Sequence, residues 1–200
     1  MDSEIKEILN IWTSGGWVML PLALLACMIY SNAFTLLFNV MRTNLSGKDE
    51  MQWRSWVADP HLASGRVGHI LRHTQLNVKS AKQIRNRYNE VHAAMLRMLD
   101  RRIHFLNILV ATAPLLGLLG TVIGMLGTFF GLATSGGTET IGVISSGISE
   151  ALITTQTGLT IALPALFMVM LIQRKKHTLE AKLARLESLT LTYFNFDTES

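Results

Sequence analysis

The sequence predicts an all-α integral membrane protein with three transmembrane helices. Three apolar spans, residues 17–40, 105–134 and 142–172, each exceed the ~20 residues that a helix needs to cross the hydrocarbon layer of a bilayer. Glu150 is the only acidic residue inside any of these spans. A core-facing helix of a soluble protein would carry a charged face, which these segments lack. The spacing of apolar residues predicts no β-strand anywhere in the chain.

Residues 1–16 form an amphipathic segment that we expect at the outer surface of the membrane. Gly15 and Gly16 end this segment before the first transmembrane helix, residues 17–40. Acidic residues outnumber basic ones in the segment, so it lacks the basic region of a secretory signal peptide. Cys27 is the only cysteine, which excludes a disulfide within the chain.

Residues 41–104 are expected to form a cytoplasmic helical region. Pro60 and several glycines break its first part into short helices. From Lys79 onward, apolar residues recur at helical spacing. This pattern predicts one helix that runs without interruption into the second transmembrane helix, residues 105–134.

A short connection of residues 135–141 leads to the third transmembrane helix, residues 142–172. Beyond Lys176, apolar residues again recur at helical spacing. We therefore expect the third helix to continue into a C-terminal helical segment, residues 173–200.

The distribution of charge predicts the orientation in the membrane. Residues 41–102 contain 12 Lys and Arg against 5 Asp and Glu, and residues 173–200 contain 5 against 4. Residues 1–16 contain only 1 basic residue against 3 acidic ones. By the positive-inside rule, the N-terminus is periplasmic and the C-terminus cytoplasmic. The basic residues form no nucleic-acid motif with stacking aromatics, so no nucleic-acid partner is expected.

The second span carries a face of small residues. They recur in steps of three and four, which keeps them on one side of a helix. In a membrane, such a face either lets another helix approach closely or lines a narrow polar passage. The face consists of Pro114, Gly117, Thr121, Gly124, Thr128 and Gly131, and further packing positions are expected at Gly120, Gly127, Gly158 and Pro164.

Glu150 lies about a third of the way along the third span. A charged side chain at mid-membrane costs about 2.5–3.5 kcal/mol, so intramembrane carboxylates usually face a protein interior or a hydrated cavity. The alternative is a neutral, hydrogen-bonded structural residue, or one hydrated at the outer interface. At ~100° per residue, Thr154 and Thr157 lie within ~40° of Glu150, whereas Thr155 lies on another face among small residues.

Motifs for catalysis and for metal binding are absent from the sequence. His69 and His73 would share a helix face, but no Cys, Asp or Glu stands at a supporting metal-ligand spacing. The glycine-rich run GLLGTVIGMLG lacks the Lys-Ser/Thr pair of a phosphate loop, so helix packing explains it better. We therefore expect neither an enzyme nor a bound cofactor.

The segment APLLGLLGTVIGMLGTF, followed by a small connection and GISEALITTQTGLTIALPAL, resembles the paired core of the MotA/TolQ/ExbB proton channel family, closest to its ExbB/TolQ branch. The resemblance covers residues 100–176 and extends more loosely over residues 60–73. It implies an inner-membrane homopentamer whose second and third helices surround two copies of an ExbD/TolR-like subunit. That partner contributes the aspartate that carries protons. The residues assigned to the ion pathway by this resemblance are Thr121, Thr155 and Glu150, with Thr154 and Thr157 as further candidates.

The function implied by the resemblance is a motor for biopolymer transport that is driven by the proton motive force. It would act on a TonB-like or TolA-like protein, and its ring would also contact membrane lipid. Polar residues around Thr155 leave open whether the ion is H⁺ or Na⁺. A structural scaffold without ion conduction is the alternative. A self-sufficient secondary transporter is disfavoured, because three spans show no inverted repeat.

Overall fold

The computed structural model describes residues 14–42, 52–63, 65–75, 78, 80–134 and 140–194. Over these residues the chain forms helices and turns without any β-strand, which confirms the predicted all-α class. The helices are α1 (Met19–Arg42), α2 (Trp53–Ala58), α3 (Gly65–Gln75), α4 (Ala81–Thr134) and α5 (Thr140–Tyr193).

Three of the helices are long and apolar enough to cross a membrane, as predicted: α1, α4 and the part of α5 from Ile141 onward. Helices α4 and α5 each contain 54 residues. At ~1.5 Å per residue each is about 80 Å long, more than twice the ~30 Å of the hydrocarbon layer. The second and third transmembrane helices therefore continue far beyond their apolar spans. The limits of the membrane-crossing segments within them remain predictions.

Two predicted segments fall largely beyond the described part of the chain. Residues 1–13 of the amphipathic segment lie outside the described residues. So do residues 135–139 of the connection between α4 and α5.

Pro114 lies inside α4 and Pro164 inside α5. Proline lacks a backbone N–H and usually kinks or breaks a helix in water. Transmembrane helices tolerate it because neighbouring helices and Ser or Thr side chains can bond the backbone carbonyls that proline leaves free.

The chain divides into two compact units. Unit 1 comprises Met1–Thr35 and His104–Met170, and unit 2 comprises Leu36–Ile103 and Leu171–Ser200.

Unit 1 contains most of α1, up to Thr35, and the paired apolar parts of α4 and α5. Val18, Met19 and Leu22 are buried, and they anchor the start of α1 against partly buried side chains of α4 and α5. Large apolar side chains cover much of its outside, as expected for surfaces that meet lipid or other transmembrane helices: Leu115, Leu118, Phe129, Phe130, Leu163 and Phe167.

Unit 2 has a hydrophobic core of its own, to which both short helices contribute. Asp59 ends α2 in an extended conformation, as expected for a residue that precedes proline. The fully buried members of the core come from α2, α3 and the parts of α4 and α5 in this unit: Trp53, Val57, Leu71, Ile84, Leu96 and Leu186.

Candidate functional site

Helices α4 and α5 pack closely along their small residues in unit 1. A methyl group added at Gly117 would lie 3.0 Å from the carbonyl oxygen of Thr154 and 3.1 Å from the Cα of Thr155. One added at Gly158 would lie 2.7 Å from the carbonyl oxygen of Ala113. Backbone meets backbone at these points, so any larger side chain would force the two helices apart.

The close contact continues towards the connected ends of the two helices. A methyl group at Gly124 would lie 3.1 Å from the carbonyl oxygen of Gly147, and Gly120 lies directly against the side chain of Thr154. Gly131 faces a valine of α5. Within the chain, the small-residue face of α4 is therefore mainly a packing surface for α5.

The remaining candidate packing residues are placed differently. Gly127 faces open space, since nothing in the described chain lies within 4 Å of a methyl group placed there. Pro164 is exposed, and Pro114 is half-buried. Any packing role for Gly127 and Pro164 therefore requires contacts beyond this single chain.

Two neighbouring threonines of α5 converge on one carbonyl group of α4. The Thr155 hydroxyl donates to the carbonyl oxygen of Gly117 at 3.2 Å, and the Thr154 hydroxyl is 3.4 Å from the same oxygen. Thr154 is fully buried and also donates to the carbonyl of Ala151 at 2.8 Å. Thr155 is only half-buried, so Thr154 lies inside the helix pair and Thr155 at its margin.

Thr121 lies one helical turn beyond Gly117 on α4 and is partly exposed. Its hydroxyl donates to the carbonyl oxygen of Leu118 at 2.6 Å. A hydroxyl that donates its proton to the backbone keeps its oxygen lone pairs free to accept a further hydrogen bond. Thr121 and Thr155 can therefore both accept a hydrogen bond from a protonated group outside the chain.

Glu150 lies on the side of α5 that faces the start of α1. Its carboxyl group lies directly against Gly16, in the turn that precedes α1. Ile153, one turn further along α5, packs against Gly15. Thr157 donates to the carbonyl of Ile153 at 2.8 Å, within its own helix.

Two polar contacts in unit 1 were not predicted from the sequence, which placed Thr128 only on the small-residue face. Thr128 is buried, donates to the carbonyl of Gly124 at 2.9 Å and fills the space beside Gly147. The Tyr30 hydroxyl of α1 donates to the carbonyl of Ile161 of α5 at 3.0 Å. A phenol in a mainly apolar span is a signal for such an inter-helix bond, because a tyrosine hydroxyl inside a membrane needs a partner.

Charged side chains connect α4 and α5 in unit 2. Lys176 forms an ion pair with Asp100 and a second one with Glu180 at 3.2 Å. The hydrogen bond with Asp100 is the main cause that raises the pKa of Lys176. His177 also contacts Glu180, at 3.0 Å. Within the described ranges, no three His, Cys, Asp or Glu side chains are arranged to hold a metal ion.

Comparison with known proteins identifies the family of the chain. The sequence profile of the MotA/TolQ/ExbB proton channel family matches residues 64–185, which include all the candidate pathway residues. Similar proteins include ExbB-like 1 from Synechocystis sp., described as a biopolymer transport protein, at 33% identity over 82% of this chain and 70% of that protein. Biopolymer transport protein exbB1 of Vibrio cholerae is 38% identical over 46% of this chain and 39% of its own length.

A third relative is the biopolymer transport protein ExbB of Helicobacter pylori, at 35% identity over 48% of this chain and 64% of its own length. The matches thus cover between 39% and 70% of the length of these three relatives. They confirm the resemblance to ExbB that the sequence of α4 and α5 indicated. The chain belongs to the MotA/TolQ/ExbB proton channel family.

Proposed function

We propose that the chain is the channel subunit of an inner-membrane motor that is driven by the proton motive force. In this proposal several copies, five by family resemblance, form a ring through which the ion passes. The observation that carries the proposal is a pair of partly exposed hydroxyls: that of Thr155, at the Gly117 contact between α4 and α5, and that of Thr121, one helical turn beyond Gly117. Both keep acceptor capacity within an apolar surrounding.

A partner subunit is required by the chemistry of these residues. Hydroxyl groups do not titrate near neutral pH, and Glu150 is the only carboxylate in the predicted spans. A second titratable group must therefore come from another chain to carry a proton past Thr121 and Thr155. We assign this role to the aspartate of an ExbD/TolR-like single-span subunit inside the ring.

The proposed cycle starts at the periplasmic side and ends in the cytoplasm. A proton enters near Glu150, loads the partner aspartate opposite the two threonines, and leaves as the partner helices move within the ring. About 2.3 kcal/mol per charge per 100 mV is available to drive each step. The work would pass to a TonB-like or TolA-like protein, for outer-membrane transport or envelope maintenance. No cofactor takes part, and Na⁺ is the alternative ion.

Ion flux through the reconstituted complex tests this proposal. The chain and its partner are placed in proteoliposomes, and proton uptake is measured under an imposed potential. Thr155→Val and Thr121→Val should each reduce the flux about threefold to tenfold, since the hydrogen bond that each hydroxyl accepts from the protonated, neutral aspartic acid contributes about 0.5–1.5 kcal/mol. Replacing a proton gradient with a sodium gradient distinguishes the two ions.

Matched control variants lie on the same two helices. Thr112 and Thr160 also donate to the backbone of their own helices, at 2.8 Å each. At ~100° per residue, Thr112 is ~180° from Thr121 and Thr160 is ~140° from Thr155. Thr112→Val and Thr160→Val should therefore leave the flux unchanged. Unchanged flux in the Thr155 and Thr121 variants, with an intact ring, would favour the structural scaffold instead.

A further inference from the structure

The turn before α1 encloses the carboxyl group of Glu150. Gly16 adopts a backbone φ of +65°, in the left-handed region that favours glycine. A methyl group on Gly16 would lie 2.7 Å from Cδ of Glu150 and 3.4 Å from its Cγ, and would overlap one carboxyl oxygen. The carboxyl group therefore occupies the space that a side chain at position 16 would need.

Contacts on both sides hold this turn in place. Gly15 is buried, and a methyl group there would lie 3.1 Å from the side chain of Ile153. Val18 and Met19 are buried in the core of unit 1, and the Met19 N–H donates to the carbonyl of Gly16 at 3.3 Å. The position of Gly16 is thus set by packing that does not involve Glu150.

We propose that Gly16 is a positioning residue for Glu150. Because Gly16 has no side chain, the carboxyl group of Glu150 can lie against its backbone, which covers one side of the group. The turn therefore determines the orientation of the carboxyl group and how accessible it is to ions and reagents. The proposal rests on the proposed function only in taking Glu150 as part of the ion pathway. The positioning itself can be measured without ion flux.

The chain offers a control for backbone strain. Gly65 has almost the same backbone conformation as Gly16, with φ of +69°, but nothing lies within 4 Å of a methyl group placed there. Gly65→Ala therefore carries the cost of a left-handed alanine without a collision. Any effect of Gly16→Ala beyond that of Gly65→Ala comes from displacement of the Glu150 side chain.

The test is the rate at which a hydrophobic carbodiimide modifies Glu150 in the full-length chain, measured by mass spectrometry at one fixed pH. Gly16→Ala should raise this rate about fivefold, because the carboxyl group is forced from its rotamer beneath the turn. Gly16→Asn should do the same, since asparagine tolerates a positive φ but still brings a Cβ. Gly65→Ala should match the wild type. Equal rates in Gly16→Ala and Gly65→Ala would overturn the proposal.

A second variant keeps the test decisive if Gly16→Ala does not fold. Combining it with Glu150→Ala removes every side-chain atom that the methyl group would meet and should restore folding, whereas continued failure would contradict the proposed collision. The outcome is also separable from the proposed function. Normal ion flux in Glu150→Ala would remove Glu150 from the ion pathway but would not affect the labelling result for Gly16→Ala. Lost flux in Glu150→Ala, together with a labelling rate in Gly16→Ala no higher than in Gly65→Ala, would contradict only the role of Gly16.

Discussion

Hydroxyl groups in unit 1 fall into two groups that differ in burial. Thr154 and Thr128 are buried and use their hydroxyls to satisfy backbone carbonyls at points where α4 and α5 touch. Thr155 and Thr121 make similar backbone bonds but stay partly exposed. Under the proposed function, the partner subunit would therefore approach the second pair and not the first. The buried threonines thus contribute to helix packing, whereas the partly exposed threonines are the candidates for the ion pathway.

Sequence reasoning at the residue scale identified Glu150 but not its neighbour. A lone carboxylate in an apolar span is visible from composition, because its cost in a membrane is large. Its contact with Gly16 joins residues far apart in the chain, and the Gly15–Gly16 pair indicated only the end of a segment. The role of Gly16 became visible only with the packing of α1 on α5.

Tyr88 provides a prediction that can be tested in one side chain. Its hydroxyl is buried and hydrogen-bonded to the hydroxyl of Thr190 at 2.9 Å. Tyr88→Phe should therefore lower the free energy of unfolding by about 1 kcal/mol at neutral pH, as expected for one lost buried hydrogen bond. Thermal unfolding of the purified protein measures the change, and Tyr193→Phe, at an exposed tyrosine, is the control.

The same variant should change how stability depends on alkaline pH. Burial raises the pKa of Tyr88 above its usual value of 10.0. Because the folded state favours the neutral phenol, this stabilisation is fully present below pH ~10 and is lost as the pH rises through the folded-state pKa. Wild type should therefore lose stability more steeply above pH ~10 than Tyr88→Phe. Parallel curves for the two proteins would contradict this prediction.

At the scale of elements, α4 and α5 are held together by two kinds of contact. In unit 1 the contact is made by glycines and small side chains, which bring the backbones together without a hydrophobic driving force. In unit 2 it is made by a buried apolar core and by ion pairs. The change suits the surroundings, since apolar burial stabilises a helix pair in water but gains little within lipid.

The inter-helix ion pair of Asp100 and Lys176 provides the prediction for this scale. Lys176 is largely buried but Asp100 is half-exposed, so solvent screens the pair and its contribution should be about 0.2–1 kcal/mol. A double-mutant cycle with Asp100→Asn and Lys176→Met, followed by thermal unfolding, measures the coupling. It should decrease at high salt.

The neighbouring Lys175 is the matched control for this cycle, because its side chain is exposed. Lys175→Met combined with Asp100→Asn should show no coupling. A cycle through Lys176 that also gives zero coupling at low salt would show that the pair does not stabilise the contact between α4 and α5.

For the whole molecule, the predicted class and the three transmembrane helices follow from features that act over long stretches of sequence. Apolar spans of more than 20 residues have few alternatives to a transmembrane helix, and the helical spacing from Lys79 onward indicated that α4 begins well before its apolar part. The antiparallel pairing of α4 with α5 follows from their short connection. The register of that pairing was not predictable, because small residues at regular spacing allow several alignments of similar contact.

Orientation is the prediction that belongs to the whole chain. The 12 basic against 5 acidic residues in 41–102 should hold that region in the cytoplasm, and the residues before α1 in the periplasm. Single cysteines introduced by Ser14→Cys or Ser188→Cys, with Cys27→Ser in both, are treated in intact cells with a maleimide that cannot cross the inner membrane. The Ser14→Cys variant should react in intact cells, and the Ser188→Cys variant only after the inner membrane is permeabilised. The reverse pattern would place Glu150 near the cytoplasmic side, so that a proton driven inwards would reach the two threonines first, and the proposed order of the cycle would fail.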